Sequence, residues 1–319
     1  MRGLQLRVVL AAIVPLLAAA PWLRAIPVAD QLLLVAAPIA LLGVLHGGAD
    51  PWAGDAVFSS ISRRWRRAAF LGAYLGITIA VLACWALAPV ATLVGFLLIS
   101  ILHFGEQDAR SFRLDPEPLS LSVLGAIPVL GPSLAHPEAV GTIFAWLVGA
   151  EPASAAALLR GLAPPLTAVW CVGAGLLVAR VALERSADAR ALVVGIVLLS
   201  ALMVAAPPLI AFAFYFCLLH SAGHLLDLAR RIPGPWRSWS AGQWIARLLP
   251  ASAGAVALGF FGWLALPALQ PDAVPMQDAL ARAVFWGLAA LTVPHVLLHA
   301  ALERRLGDDS KRSACSTVE

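Results

Sequence analysis

Apolar runs of about twenty residues, long enough for a bilayer's hydrocarbon core of about 30 Å, recur from Leu4 to Leu302. Short clusters of Arg, Pro and Gly part them. Ten spans are predicted, near 4–23, 31–49, 67–88, 90–105, 119–135, 162–183, 191–206, 207–228, 249–269 and 282–302. The run 119–135 is short and holds Pro128 and Pro132, and two runs meet at Pro207 and Pro208, where one broken helix is the alternative. The expected fold class is therefore all-α, a polytopic membrane helical bundle of about 8 to 10 transmembrane helices. Residues 136–160 are too interrupted for a span and read as interfacial. One membrane-embedded domain is expected over 1–305, followed by a polar, frayed tail over 306–319. The N-terminus begins like a signal peptide, but the many later spans make an uncleaved first helix the reading.

Composition supports this pattern: 61% of the 319 residues are hydrophobic and only 13% charged, against roughly 25% charged in a soluble domain. The net charge of +4 does not point to nucleic acid, because the basic residues, all Arg except Lys311, fall in clusters between apolar runs. They act as topology signals. With ten spans and the N-terminus inside, cytoplasmic loops receive the clusters at Arg63–Arg67, Arg110–Arg113, Arg185–Arg190, Arg230–Arg237 and Arg304–Arg305, while the outer loops keep Arg24, Arg160 and Arg282. Both termini are expected in the cytoplasm and the protein in the cell inner membrane. Cys84, Cys171, Cys217 and Cys315 form no CxxC pair and read as small hydrophobes.

On this map six of the seven histidines share one depth: His46, His103, His220, His224, His295 and His299 all lie toward the cytoplasmic ends of their spans. His136 lies in an outer loop and reads as a surface residue. A polar group held in hydrocarbon costs free energy unless paired, so ionisable residues within spans are functional candidates. Side chains at i and i+4 of a helix are about 40° apart and roughly 6 Å along the axis, so His220 and His224 can face one ion. Imidazoles from spans two and four would bring the ligands to four, a set suited to iron, copper, nickel or zinc. Taken alone, HxxxH leaves metal, haem and proton-path chemistry open.

Asp50, Glu106, Asp108 and Asp227 follow these histidines closely and are candidates to hold ring N–H groups, as carboxylates do behind metal-bound imidazoles. Charges at helix ends are the alternative for Asp108 and Asp227. Gly47, Gly48, Gly105 and Gly223 permit close helix approach beside the histidines. Aromatics at the same level, Trp52, Phe104, Tyr215, Phe216 and Trp286 among them, are candidates to line a tunnel for a long apolar substrate, with packing or interfacial anchoring as the alternative.

The set LHGGAD (His46 to Asp50), LHFGEQD (His103 to Asp108), CLLHSAGH (His220, His224) and TVPHVLLH (His295, His299) resembles the Brp/Blh family of bacterial and archaeal β-carotene dioxygenases. The likeness runs from span two to span ten. It implies Fe(2+) as cofactor, held by His46, His103, His220 and His224 as the catalytic metal ligands. His295 matches a further family histidine whose role the resemblance leaves open, and His295 and His299 are candidates to stand behind the ligands, with a structural role as the alternative. The implied reaction is cleavage of the central 15,15′ double bond of β-carotene by O2 to two molecules of all-trans-retinal, in the lipid bilayer, with a functional link to a retinal-binding rhodopsin. The rivals are a histidine-box lipid desaturase or hydroxylase, which would place about eight histidines in HxxxH and HxxHH boxes, and a non-enzymatic haem-binding, carotenoid-binding or transport protein.

Overall fold

The computed structural model describes residues 2–184, 189–231, 238–269 and 275–316, and every regular element in them is helical. In chain order the α-helices are α1 (Arg2–Leu23), α2 (Val28–Pro38), α3 (Asp50–Val57), α4 (Arg63–Leu87), α5 (Pro89–Ser111), α6 (Pro118–Ala135) and α7 (Pro137–Val148). They continue with α8 (Pro152–Leu183), α9 (Ala189–Ala205), α10 (Pro208–Phe214), α11 (Ala222–Arg231), α12 (Ala241–Leu269) and α13 (Met276–Ser316). Among the described residues 8 helices are long and apolar enough to cross a membrane, or 9 if the bent pair within α12 counts as one span. Each of the ten expected runs is helical. The run 191–206 appears as the 17-residue α9, and Pro207 and Pro208 divide it from a separate span over Pro208–Arg231. The segment expected at the interface contributes α7 and the first turns of the 32-residue α8. The polar end of the chain continues α13 as helix to Ser316.

Lipid explains the burial pattern. Large apolar side chains face outward, Leu33, Leu34, Leu98 and Val172 among them, whereas six of the histidines and Asp50, Asp108 and Asp227 are turned inward. A bilayer offers no water to free backbone groups, so helix starts are costly there. Six helices answer with a proline in the first turn: α3, α5, α6, α7, α8 and α10. Proline brings no N–H to satisfy at that position.

Three irregular stretches place the inward polar residues. The span Val28–Val57 leaves α-geometry after Pro38, running through a wide π segment over Ile39–Gly43 and a tight 3-10 segment over Val44–Ala49. A second π segment, Tyr215–Ser221, joins α10 to α11 and packs against the first. Its Leu218 and Leu219 carbonyls accept hydrogen bonds from Gln5 Nε2 of α1, at 2.8 and 3.3 Å. The third lies in α13, where Pro294 has no N–H to offer the Ala290 carbonyl. Thr78 Oγ1 of α4 donates to that carbonyl instead, at 3.2 Å.

Close backbone approach brings α5 into place beside α6. A Cβ added at Gly105 would lie 2.0 Å from the Leu121 carbonyl oxygen, and one at Gly125 only 1.7 Å from that of Ile101. No rotamer change relieves a collision with backbone. Gly125→Val is therefore expected to separate α5 from α6 and cost at least about 1–3 kcal/mol, read as a lower thermal unfolding midpoint in detergent. Gly76→Val, where an added Cβ meets nothing within 4 Å, serves as the neutral control.

Candidate metal centre

His46 leaves the 3-10 segment, His103 the last third of α5, His220 the second π segment, His224 the first turn of α11, and His295 and His299 α13 just beyond Pro294. All six rings meet. The structure groups their ring nitrogens in two trios, His46 with His103 and His220, and His224 with His295 and His299, each within 4.8 Å of one another. His295 joins the two, its ring centre 5.0 Å from that of His46, 5.2 Å from His103, 4.8 Å from His224 and 4.4 Å from His299. His136 is apart from this group, half-buried at the corner between α6 and α7, where burial and the nearby Arg24 charge hold its pKa below the usual histidine range.

The hydrogen-bond pattern decides which nitrogens face inward. His46 Nδ1 lies 2.5 Å from the Gly43 carbonyl, which also accepts from Ser221 Oγ at 3.0 Å, so the His46 Nδ1 holds the proton and Nε2 the lone pair. Gly43 must be glycine for this: an added Cβ would lie 2.3 Å from the Phe216 ring, which stacks on His220 at 5.7 Å. Both ring nitrogens of His220, Nε2 of His224 and Nε2 of His295 are buried without any hydrogen-bond partner. An unmet buried polar atom costs about 1–3 kcal/mol. These atoms belong to three imidazoles of the two trios, and because a neutral ring has one lone-pair nitrogen, each of the three has one to offer a metal ion; nitrogen donors suit a transition metal.

Of the four acids expected behind the histidines, Asp50 alone bonds to them. Its Oδ1 accepts from His295 Nδ1 at 2.7 Å and lies 3.4 Å from His299 Nε2, and its Oδ2 accepts from Tyr74 Oη at 2.9 Å. Tyr74 is a partner that the sequence reading misses. A signal is present, since it is one of only two tyrosines and shares a face of α4 with Thr78. Asp108 is just as deep but turned away from the histidines, its Oδ2 accepting from the other tyrosine, Tyr215, at 2.9 Å. Glu106 and Asp227 join Glu303 in a network with Arg110 and Arg231 that closes the arginine-bearing end of the site. Arg110 Nη2 reaches Glu106 and Glu303 at 2.6 Å each, and Arg231 pairs with Asp227 and Glu303. A cavity of about 30 Å³ lies between these ion pairs and His103, His224 and His299.

The opposite side is apolar. A cavity of about 210 Å³ reaches His46, Asp50 and His295 between Tyr74, Phe216 and Leu288. It shares Val44, Ala255, Leu288 and Leu291 with a second cavity of about 220 Å³ along α12 and α13. A third, of about 90 Å³, lies behind Phe104 and Phe212. Phe216 and Phe104 line cavities. Trp52, Tyr215 and Trp286 line none of these four. Trp52 packs against Trp239 and Trp244, Tyr215 is fully buried on Asp108, and Trp286 stacks on Trp85 at 5.4 Å.

A family model described as beta-carotene 15,15'-dioxygenase matches residues 37–303. The chain is 28% identical over 267 residues to the beta-carotene 15,15'-dioxygenase of an uncultured marine bacterium, 66A03, covering 82% of this chain and 90% of that protein. It is likewise 28% identical over 310 residues to the probable beta-carotene 15,15'-dioxygenase Blh of Halobacterium salinarum, covering 88% and 86%. No solved structure matches.

Tyr215 is the one donor that Asp108 has, and Oδ1 of that carboxyl group has no partner. Tyr215→Phe is expected to lower stability by about 1–3 kcal/mol, and adding Asp108→Leu to recover most of it, because removing both polar partners is nearly neutral. Thermal unfolding of the purified variants in detergent measures both steps.

Proposed function

The chain belongs to the beta-carotene 15,15'-dioxygenase family, and from that premise we propose that it cleaves the central double bond of β-carotene with O2, using Fe(2+) held by His46, His103, His220 and His224. In this reaction the 15,15′ carbon–carbon bond breaks and each carbon takes one oxygen atom, so one β-carotene and one O2 give two all-trans-retinal molecules. The observation that carries this reading is the packing of six imidazoles in one cluster, with unpartnered buried nitrogens on His220, His224 and His295, beside an apolar cavity. Iron there would supply the activation of O2.

The protein's own contribution is placement. His46 is held by the Gly43 carbonyl with its free nitrogen toward the centre, and Phe216 packs the back of His220. The adjoining cavities around Leu288 and Leu291 offer a polyene arriving from the bilayer a way to the histidines without crossing water. The third cavity, behind Phe104 and Phe212, is positioned to receive the other half of a long, symmetric chain. At the arginine-bearing end, Arg110, Arg231 and their acids close the site against the polar phase, which protects a reactive centre from side reactions. We assign that end to the cytoplasm, with both termini on the same side of the cell inner membrane. A retinal-binding rhodopsin is the natural recipient of the product.

The test is incubation of purified protein with β-carotene, Fe(2+) and air, followed by chromatography. Retinal at two per carotene consumed is expected; none, where a positive control turns over, sinks the proposal. Metal analysis separates the desaturase alternative, with one iron per chain expected against two.

His46→Ala, His103→Ala, His220→Ala and His224→Ala are each expected to abolish turnover with loss of bound iron, whereas His136→Ala keeps both. A His220→Ala protein with normal iron content and activity would remove the assignment.

A further inference from the structure

Resting on the reading of the histidine cluster as an iron site, we propose that His295 is itself a metal ligand, held in place by Asp50. Nothing in the four-histidine assignment requires it.

The first observation is spacing. Imidazoles bound to one ion through bonds of about 2.0–2.1 Å, at angles near about 90–110°, have ring centres roughly 4.5–5.3 Å apart. Taken in order, His46, His220, His103 and His295 form a closed ring with sides of 5.3, 4.7, 5.2 and 5.0 Å. Every side falls in that range. His224 stands farther from three of them, 5.5 Å from His46, 6.1 Å from His103 and 6.3 Å from His220. By ring-centre spacing His295 is a better companion of His46, His103 and His220 than His224 is, while its ring nitrogens also group with those of His224 and His299, so it stands where the two trios meet.

The second observation is the direction of its lone pair. Asp50 is buried to 1% exposure, and a carboxylate in that setting requires donors. Its Oδ1, 2.7 Å from His295 Nδ1, fixes the proton on that nitrogen. Nε2 therefore carries the lone pair, and it is buried with no partner. This is the arrangement by which a carboxylate orients a metal-bound histidine and raises its basicity.

The third is the anchoring of the carboxylate. Tyr74 Oη donates to Asp50 Oδ2 and lies 3.3 Å from the Leu291 carbonyl, one turn before His295. The hydroxyl ties the carboxylate to the helix that carries the imidazole. Asp50 is thus a positioning residue, acting on the metal through His295.

The experiment uses the full-length protein, purified without metal and titrated with Co(II), a spectroscopic substitute for Fe(2+). Wild-type protein is expected to bind one Co(II) per chain with ligand-field bands in the visible. His295→Gly should shift those bands and weaken Co(II) binding at least tenfold, and added imidazole should restore both. His295→Gln keeps the volume and a donor for Asp50, so it guards against misfolding. It should show the same shift without imidazole rescue. Asp50→Asn should weaken binding about 10–100-fold while keeping the wild-type number of imidazoles counted by X-ray absorption. If folded His295→Gly or His295→Gln shows the wild-type spectrum and affinity, His295 is not a ligand. Two Co(II) per wild-type chain likewise overturns a single ring containing His295. Wild-type protein that binds no metal at all instead defeats the iron-site reading from which the proposal starts.

Discussion

In hydrocarbon a polar group has only its own protein for a partner, and the interior of this molecule is organised by that requirement. Six imidazoles and three aspartates lie within apolar helices, where water cannot meet their hydrogen-bonding needs. Asp50 shows how closely the elements depend on one another. It takes its donors from α4 and α13, so α3 is fixed to both by a single carboxylate. The chain's two tyrosines play matching parts, each giving its hydroxyl to a buried aspartate. The difference lies in what the aspartates reach next: Asp50 faces histidines, while Asp108 is turned away from them.

The same accounting separates the two ends of the site. Toward the arginine-bearing end, charged groups are partly exposed and pair among themselves, in a network worth more for closing the site than for stability. Toward the bilayer interior the walls are apolar, with cavities that meet along Val44, Leu288 and Leu291. Between these ends sit nitrogen lone pairs with nothing in the protein to receive them. Other unpartnered buried atoms, such as Gln31 Oε1, Trp85 Nε1 and Ser200 Oγ, lie on separate helices, whereas those of His220, His224 and His295 share one cluster of imidazoles, which is the pattern of a site built around something other than protein.

Much of this was legible in the sequence, for reasons of depth. Span length and the Arg clusters set where each histidine sits along the bilayer normal, and residues at one depth on neighbouring helices have a chance to meet. Lateral arrangement was not legible. Which acid reaches which histidine depends on how helices rotate against one another, and packing sends Asp50, Asp108 and Asp227 to His295, Tyr215 and Arg231 respectively. Trp52 and Trp286 face other tryptophans for the same reason, since the level of an aromatic does not say which way it points. The ion pairs of Glu303 are invisible to local spacing, joining residues 193 and 72 positions apart. The break at Pro207 was open to two readings, and the structure resolves it into separate helices because Pro208 starts a new one.

The two π segments bear on any attempt to move this site elsewhere. Each adds girth to its helix and so offsets the angular position of every later residue on that helix, which means that the ring of His220 reaches the centre from a direction an ideal helix would not give it. An idealised bundle carrying the same histidines at the same intervals would aim them differently. A grafted copy must import both swollen turns, Gln5 to meet the Leu218 and Leu219 carbonyls of the second and Gly43 to let Phe216 nestle in, or it will transplant the letters without the cage.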